Sequence, residues 1–343
     1  MIGEKSNIAV IGAGAVGGIT AALLVKAGYR VEIACNSSSL AERIRSDGLN
    51  ISGRGGKHRI KIPAVARATE MSAPKDIIFM ATKANDMLDA GKEILPLVGD
   101  NTLVVTMQNG MDQTALADIV GRERTVICIV EWGATMLNPG ELHMTTGGDF
   151  ILGTPDDKHN ARLPFLQAIL EHVAPVRISE NITGDLYAKL LINSCNSSMG
   201  AISGLPLGKM LSIKKARTIF IEIVREGIAV ADAMGIRVEK FHGKLDYYRY
   251  LHGTGYLSDM RRQLVIRFIG YRHQHVISTN LSSLERGRPT EIDYLNGYIS
   301  RNGKKYHVPT PVNDRVIQLV KEIEAGMKKT TPSHFDDPFF QTL

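Results

Sequence analysis

Residues Asn7–Gly18 read N-I-A-V-I-G-A-G-A-V-G-G, and no other stretch restricts the fold as strongly. Ile8 to Ile11 form a short apolar run, the pattern of a strand buried on both faces. Gly12, Ala13, Gly14, Ala15, Val16 and Gly17 then fit G-x-G-x-x-G. An alanine-rich helical segment follows, Ile19 to Lys26, with Gly28 as its C-terminal cap, and Val31–Cys35 reads as a second strand. Each glycine has its own task. Gly12 permits the tight turn, Gly14 lets backbone approach a pyrophosphate, and Gly17 lets the helix pack on the strand. The helix N-terminus supplies amide hydrogens and a partial positive charge to phosphates. The expectation is the first unit of a dinucleotide-binding fold.

A chain of 343 residues suggests about two domains. The net charge of +6 suits an anionic ligand. The basic residues are scattered, with no basic tract interleaved with aromatics, so no nucleic-acid partner is expected. Cys35, Cys128 and Cys195 show no metal-ligand spacing, and so few cysteines fit a reducing cytosol. Cys195 reads as a packed thiol. No apolar run reaches ~18 residues, and the first strand begins too early for a cleaved leader. A cytoplasmic protein without a membrane partner is expected.

An acidic residue at the end of the second strand would bind the ribose hydroxyls of NAD. The turn Cys35-Asn36-Ser37-Ser38-Ser39 has none. NADP is favoured over NAD on the missing acid alone; Asn36 and the serines can hydrogen-bond a 2′-phosphate, with Arg43 on the next helix, or can form an ordinary helix cap. Gly48–Val65 reads as a hairpin appended to the sheet. Asp76–Ala81 and Thr102–Met107 read as buried strands ending in Thr82-Lys83-Ala84 and Gln108-Asn109-Gly110. Ligands of open α/β sheets sit beyond the carboxyl ends of strands, so Lys83 and Asn109 fall where cofactor and substrate meet. His143 lies in an alternating strand and reads as structural. A short strand at Val176–Ile178 closes a first domain of residues 1–180. Helical character begins at Thr183 and defines a second domain of residues 181–330. The tail, 331–343, has no predicted structure. Lys189 and Asn193 are i and i+4 on a long helix, hence on one face. Val238–Ile277 is long, aromatic and basic, and reads as helical packing, a partner surface or a lid. Pro289–Gly297 begins a last helix, with Glu291 a favourable charge in its first turn.

Taken together, these marks resemble the ketopantoate reductase (2-dehydropantoate 2-reductase) family. They are the glycine turn Gly12–Gly17, Thr82-Lys83-Ala84, Gln108-Asn109-Gly110, Lys189-Leu190-Leu191-Ile192-Asn193 and the run Arg288–Gly297. The resemblance implies an α/β Rossmann N-terminal domain and an all-α C-terminal domain of the 6-phosphogluconate-dehydrogenase-like kind, with the site in the cleft between them. It implies reduction of a 2-keto acid with NADPH, here 2-dehydropantoate to pantoate in pantothenate biosynthesis, and a homodimer. Lys189 would be the general acid, with Glu291 orienting it and meeting the bound ligands. Asn193 would hold the substrate. Lys83 and Asn109 would contact cofactor and substrate, and Ala134 would line the cofactor pocket. The chain also departs from the family pattern. Asn36 stands where an arginine binds the 2′-phosphate. Ser197 replaces a substrate asparagine, while Asn196 beside it is turned ~100° away. Leu207 replaces a further asparagine, and Thr279 stands for the substrate serine. The catalytic set is kept and the substrate set is changed. A bulkier 2-keto acid or an opine-type substrate is therefore the second reading. A dinucleotide sensor without turnover is the third, since fold alone does not imply catalysis.

Overall fold

Alternation decides how the first strand sits. In β1 (Asn7–Ile11), Ile8 and Val10 face one way and Ala9 and Ile11 the other, and all four are buried. A strand apolar on both faces needs cover on both, which a parallel sheet between helices supplies. The structure, a computed structural model, describes residues 6–157 and 160–343 and divides into two units, Met1–Ile182 and Thr183–Leu343.

In the first unit, β1 is followed by α1 (Ala15–Lys26), β2 (Arg30–Ala34), α2 (Ser38–Asp47), β3 (Leu49–Gly53), β4 (His58–Ile60), β5 (Ala64–Val65) and β6 (Lys75–Met80). Then come α3 (Met87–Glu93), β7 (Val98–Thr106), α4 (Gln113–Val120), β8 (Thr125–Val130), β9 (Gly133–Asn138), β10 (Glu141–Thr146), β11 (Phe150–Gly153), α5 (Leu163–Leu170) and β12 (Val176–Ile178). The main sheet has eight strands in the order β12-β11-β8-β7-β6-β1-β2-β5. Its pairs are parallel except β8 with β11. Strand order reverses between β1 and β6, which makes their carboxyl ends the topological switch point. One face of the sheet, with Ile8, Val10, Phe79 and Val105, shares its core with α1 and α5. The other, with Ala9, Ile11, Met80 and Val104, shares its core with Met87, Leu116 and Val120 of α3 and α4.

The β3–β4 hairpin is real, but it is not appended to the main sheet. It forms a separate four-stranded sheet, β4-β3-β10-β9, in which β3 runs parallel to β10. Only β5 returns to the main sheet, beside β2. Leu49, Ile51, Leu142 and Met144 of this second sheet join the core that contains Ile19 and Leu24 of α1. The helix is thereby covered beyond its sheet-facing side, and every residue from Gly17 to Leu24 is buried.

The second unit is helical: α6 (Ile182–Ser203), α7 (Leu207–Ser212), α8 (Lys214–Ala233), α9 (Tyr247–Leu251), α10 (Tyr256–Arg272), α11 (Thr279–Glu285), α12 (Asn296–Lys305) and α13 (Pro311–Glu324). Two tyrosine hydroxyls fasten α6 to its surroundings. Tyr187 donates to the Gly227 carbonyl at 3.0 Å, and Tyr247 donates to the Ala188 carbonyl at 2.6 Å. The expected last helix at Pro289–Gly297 is instead a 3-10 turn, Ile292–Tyr294, leading into α12, and α13 comes after it. Pro311 opens α13, and Glu226 caps it by accepting the amides of Val312 at 2.8 Å and Asn313 at 2.9 Å. The final residues are also ordered. Two 3-10 turns, Pro332–Asp336 and Pro338–Thr342, bury Phe335 and Phe340, and Asp337 pairs with Arg315 at 2.5 Å. Among the described residues no helix is long and apolar enough to cross a membrane.

Candidate active site

At the switch point the chain leaves β1 through Gly12, whose φ of +108° lies in the region that favours glycine. A Cβ there would sit 2.7 Å from the Ala81 carbonyl oxygen. At Gly17 a Cβ would sit 2.1 Å from the Gly12 oxygen, so only glycine lets α1 lie this close to the strand. Gly14 is the opposite case. It is exposed, and a Cβ there would meet nothing within 4 Å. Gly14 is also the N-cap of α1 and has no side chain to bond the first-turn amides. These amides and the open space at Gly14 form a cradle suited to a pyrophosphate. The residues present fit a dinucleotide.

Beyond β2, Asn36 is exposed with φ of +56°, a left-handed conformation that asparagine tolerates. Ser37 caps α2, accepting the Leu40 amide at 3.4 Å. Arg43 is turned to the Asn138–Gly140 loop and donates to the Pro139 carbonyl at 3.5 Å. The carboxyl ends of β6 and β7 are tied by Gln108, whose Nε2 donates to Thr82 Oγ1 at 3.1 Å. Gln113 donates to the carbonyls of Gln108 at 3.2 Å and Gly110 at 3.0 Å. Lys83 and Asn109, both half-buried, follow these two tied strand ends. Ala134 lies on β9 of the second sheet, paired with Met144.

In the second unit, considered by itself, the candidate residues lie on α6. From Gly184 to Ser203 every residue is buried except three, Lys189, Asn193 and Asn196, which are half-buried. At about 100° per residue they occupy one stripe about 60° wide, and Asn196 lies about 20° from Lys189. All three are polar, on a helix whose other sides pack. Two of the buried serines bond within the helix: Ser203 Oγ donates to the Met199 carbonyl at 2.8 Å, and Ser198 to that of Ser194. Ser197 is buried, about 80° from Lys189 around the helix. Its hydroxyl bonds that of the exposed Thr279 at 3.2 Å, so these two sequence-predicted residues are brought together.

Glu291 is 8 % exposed and precedes the 3-10 turn. Its backbone N–H donates to Asn280 Oδ1 at 3.0 Å, while the preceding Thr290 donates through N–H and hydroxyl to Glu324 at 2.7 and 2.6 Å. Asn280 is fully buried and has no counterpart in the sequence reading, because nothing local marks an asparagine in a short helix as the acceptor for a residue eleven positions on. Asn196, turned about 100° from Ser197 and for that reason not among the expected site residues, is i+7 from Lys189, two helical turns, a spacing that keeps it on the lysine's face. Cys195 is wholly buried, and burial pushes its thiol well above the ordinary value, so it is a packing residue. His143 bonds Ser52 across β3 and β10 at 2.9 Å, a structural tie.

The model of the family described as ketopantoate reductase PanE/ApbA matches residues 8–157, and that of its C-terminal domain matches residues 181–324. A 2-dehydropantoate 2-reductase of Mesorhizobium japonicum is 28% identical, over 92% of this chain and 97% of that protein. One from Aquifex aeolicus is 24% identical, over 94% and 98%. Among solved structures, a PanE/ApbA family ketopantoate reductase from Ralstonia eutropha superposes with a TM-score of 0.80 at 25% identity, covering 93% of this chain and 99% of that one. A D-mandelate dehydrogenase solved with NADH and anilino(oxo)acetate has the same fold, with a TM-score of 0.82 at 24% identity over 94% and 99%.

Proposed function

We propose, from the premise that the chain belongs to the ketopantoate reductase family, that it reduces 2-dehydropantoate to pantoate with NADPH. It is an oxidoreductase of the class acting on CH–OH groups, and its cofactor is a nicotinamide dinucleotide. The observation that carries the reading is the stripe on α6. A buried helix that keeps one lysine and two asparagines half-exposed on one face is arranged for a polar ligand rather than for packing.

When bound, the reduced nicotinamide supplies a hydride to the keto carbon. The rest of the chemistry belongs to the chain. Lys189 acts as the general acid, giving a proton from Nζ to the keto oxygen. A cation aimed at a developing alkoxide stabilises the transition state more than the ground state. Asn193, one turn along the same face, orients the substrate. Glu291, held in place through its backbone by Asn280, orients Lys189 and meets the ligands. Gly12, Gly14 and Gly17 hold the pyrophosphate, and Lys83, Asn109 and Ala134 line the remainder of the cofactor site. Ser197 and Thr279 act as one hydroxyl pair toward the substrate. The preference for NADPH is supported by the lack of a carboxylate at residues 35–39 and by Asn36, exposed at the end of β2.

We infer also that the protein is a homodimer joined through α10. That helix buries Arg262, Ile266 and Gly270 on one side and exposes Leu257, Met260, Leu264, Phe268 and Tyr271 on the other. The exposed residues are spaced symmetrically about Leu264. A two-fold antiparallel pairing sets Leu264 on Leu264, Met260 on Phe268 and Leu257 on Tyr271, which is what an isologous interface requires.

The test is loss of reduced-nicotinamide absorbance with 2-dehydropantoate beside branched, aromatic and N-substituted substrates, run with NADPH and NADH. The highest kcat/KM is expected for 2-dehydropantoate with NADPH. A better bulky substrate would move the function to another 2-keto acid, and no turnover with any would leave a dinucleotide-binding protein.

A further inference from the structure

Asn196 has three properties that packing does not require. It lies on the stripe of Lys189 and Asn193 although the helix around it is buried. Its side-chain Oδ1 is itself buried and has no hydrogen-bond partner among the described residues. It also lines a cavity of about 10 Å³ with Leu205, Leu207, Met210, Val276 and Ser278. A buried carbonyl oxygen without a donor is destabilising, so such a group in a native fold calls for an occupant. The size of the cavity says which. It has room for one water-sized group and none for a ring. Its walls are mostly aliphatic, with Asn196 and Ser278 as the polar lining residues.

We propose that Asn196 is a specificity-determining residue whose Oδ1 accepts a hydrogen bond from a hydroxyl carried on the side chain of the 2-keto acid substrate. The inference rests on the reductase reading above. The substrate lies along α6, with its keto oxygen at Lys189 and its far end toward Asn196, about 10 Å further along the helix axis, a span bridged by the lysine side chain and the substrate together. Leu205, Leu207 and Met210 exclude water around the hydroxyl, which strengthens the bond and makes its loss costly. Ser197, whose hydroxyl is shared with Thr279, is the neighbouring contact and does not fill this role. A site built to bond a hydroxyl rejects the analogue that lacks it far better than an apolar pocket rejects an extra one.

The experiment compares 2-dehydropantoate with trimethylpyruvate, which differs by the side-chain hydroxyl alone, in the wild type, Asn196→Ala and Asn196→Leu. Thermal unfolding confirms that each variant is folded. The wild type is expected to prefer the hydroxylated substrate. In Asn196→Ala that preference falls about tenfold or more, chiefly through KM for 2-dehydropantoate, while kcat/KM for trimethylpyruvate stays within about twofold. Asn196→Leu, which fills the cavity, is expected to reverse the preference. A preference unchanged in both variants would overturn the inference and leave the cavity to a water. A wild type that does not distinguish the two substrates would overturn it as well, with the reductase reading intact. A wild type inert toward both, and toward every other 2-keto acid, would overturn the reductase reading and this inference with it.

Discussion

Gly14 and Gly17 stand three residues apart in one motif, yet a side chain at each meets a different obstacle. At Gly17 the obstacle is the protein, since an added Cβ falls 2.1 Å from the Gly12 oxygen. Gly17→Ala is therefore expected to destabilise the fold by about 1–3 kcal/mol, read by thermal or denaturant unfolding. At Gly14 nothing of the protein lies within 4 Å, so the obstacle is the ligand. Gly14→Val should keep the wild-type melting temperature within a degree or two and weaken NADPH binding at least about tenfold, measured by calorimetry. A Gly14→Val protein that binds NADPH normally would remove this turn from the pyrophosphate. Lys189 separates binding from chemistry in the same way. Lys189→Ala is expected to lower kcat by about two orders of magnitude or more and leave the cofactor Kd nearly unchanged. Activity close to wild type in that variant would assign the acid to another residue.

At the scale of elements, what could be read from the sequence depended on how many faces a segment buries. The parallel strands bury both and appear as unbroken apolar runs, which is why β1, β6 and β7 were legible. The second sheet was not, because the parallel pairing of β3 with β10 joins residues about ninety positions apart. The site divides the same way. The glycine turn, Lys189 and Asn193 carry local patterns. The Gln108–Thr82 tie and the Asn280–Glu291 bond exist only once distant segments meet. In α10 apolar residues lie on opposite sides of the helix, so no single amphipathic face stands out. Asn280→Ala tests the tie between α11 and the Glu291 turn. It leaves a buried N–H without its acceptor and should cost about 1–3 kcal/mol of stability, with kcat falling more than KM rises. Asn280→Asp keeps an acceptor and should restore kcat. An equally slow Asn280→Asp would make the role of Asn280 one of packing rather than of positioning Glu291.

For the whole molecule, the α10 face predicts a concentration-dependent dimer. Light scattering should give twice the chain mass at micromolar concentration, and Leu264→Asp, which sets two carboxylates against each other at the two-fold axis, should give the monomer with its melting curve little changed. A wild-type monomer would leave the apolar stripe unexplained by self-association. The thiols carry a different consequence. Cys35, Cys128 and Cys195 are all buried, and burial pushes the Cys35 thiol up to about 12. A thiol reagent in native buffer therefore reacts only with molecules that have opened. Cys35 and Cys128 lie in the first unit and Cys195 in the second, so the order in which they are labelled acts as two separate clocks. Matching rates would mean that the two units unfold together, and diverging rates would say which one opens first.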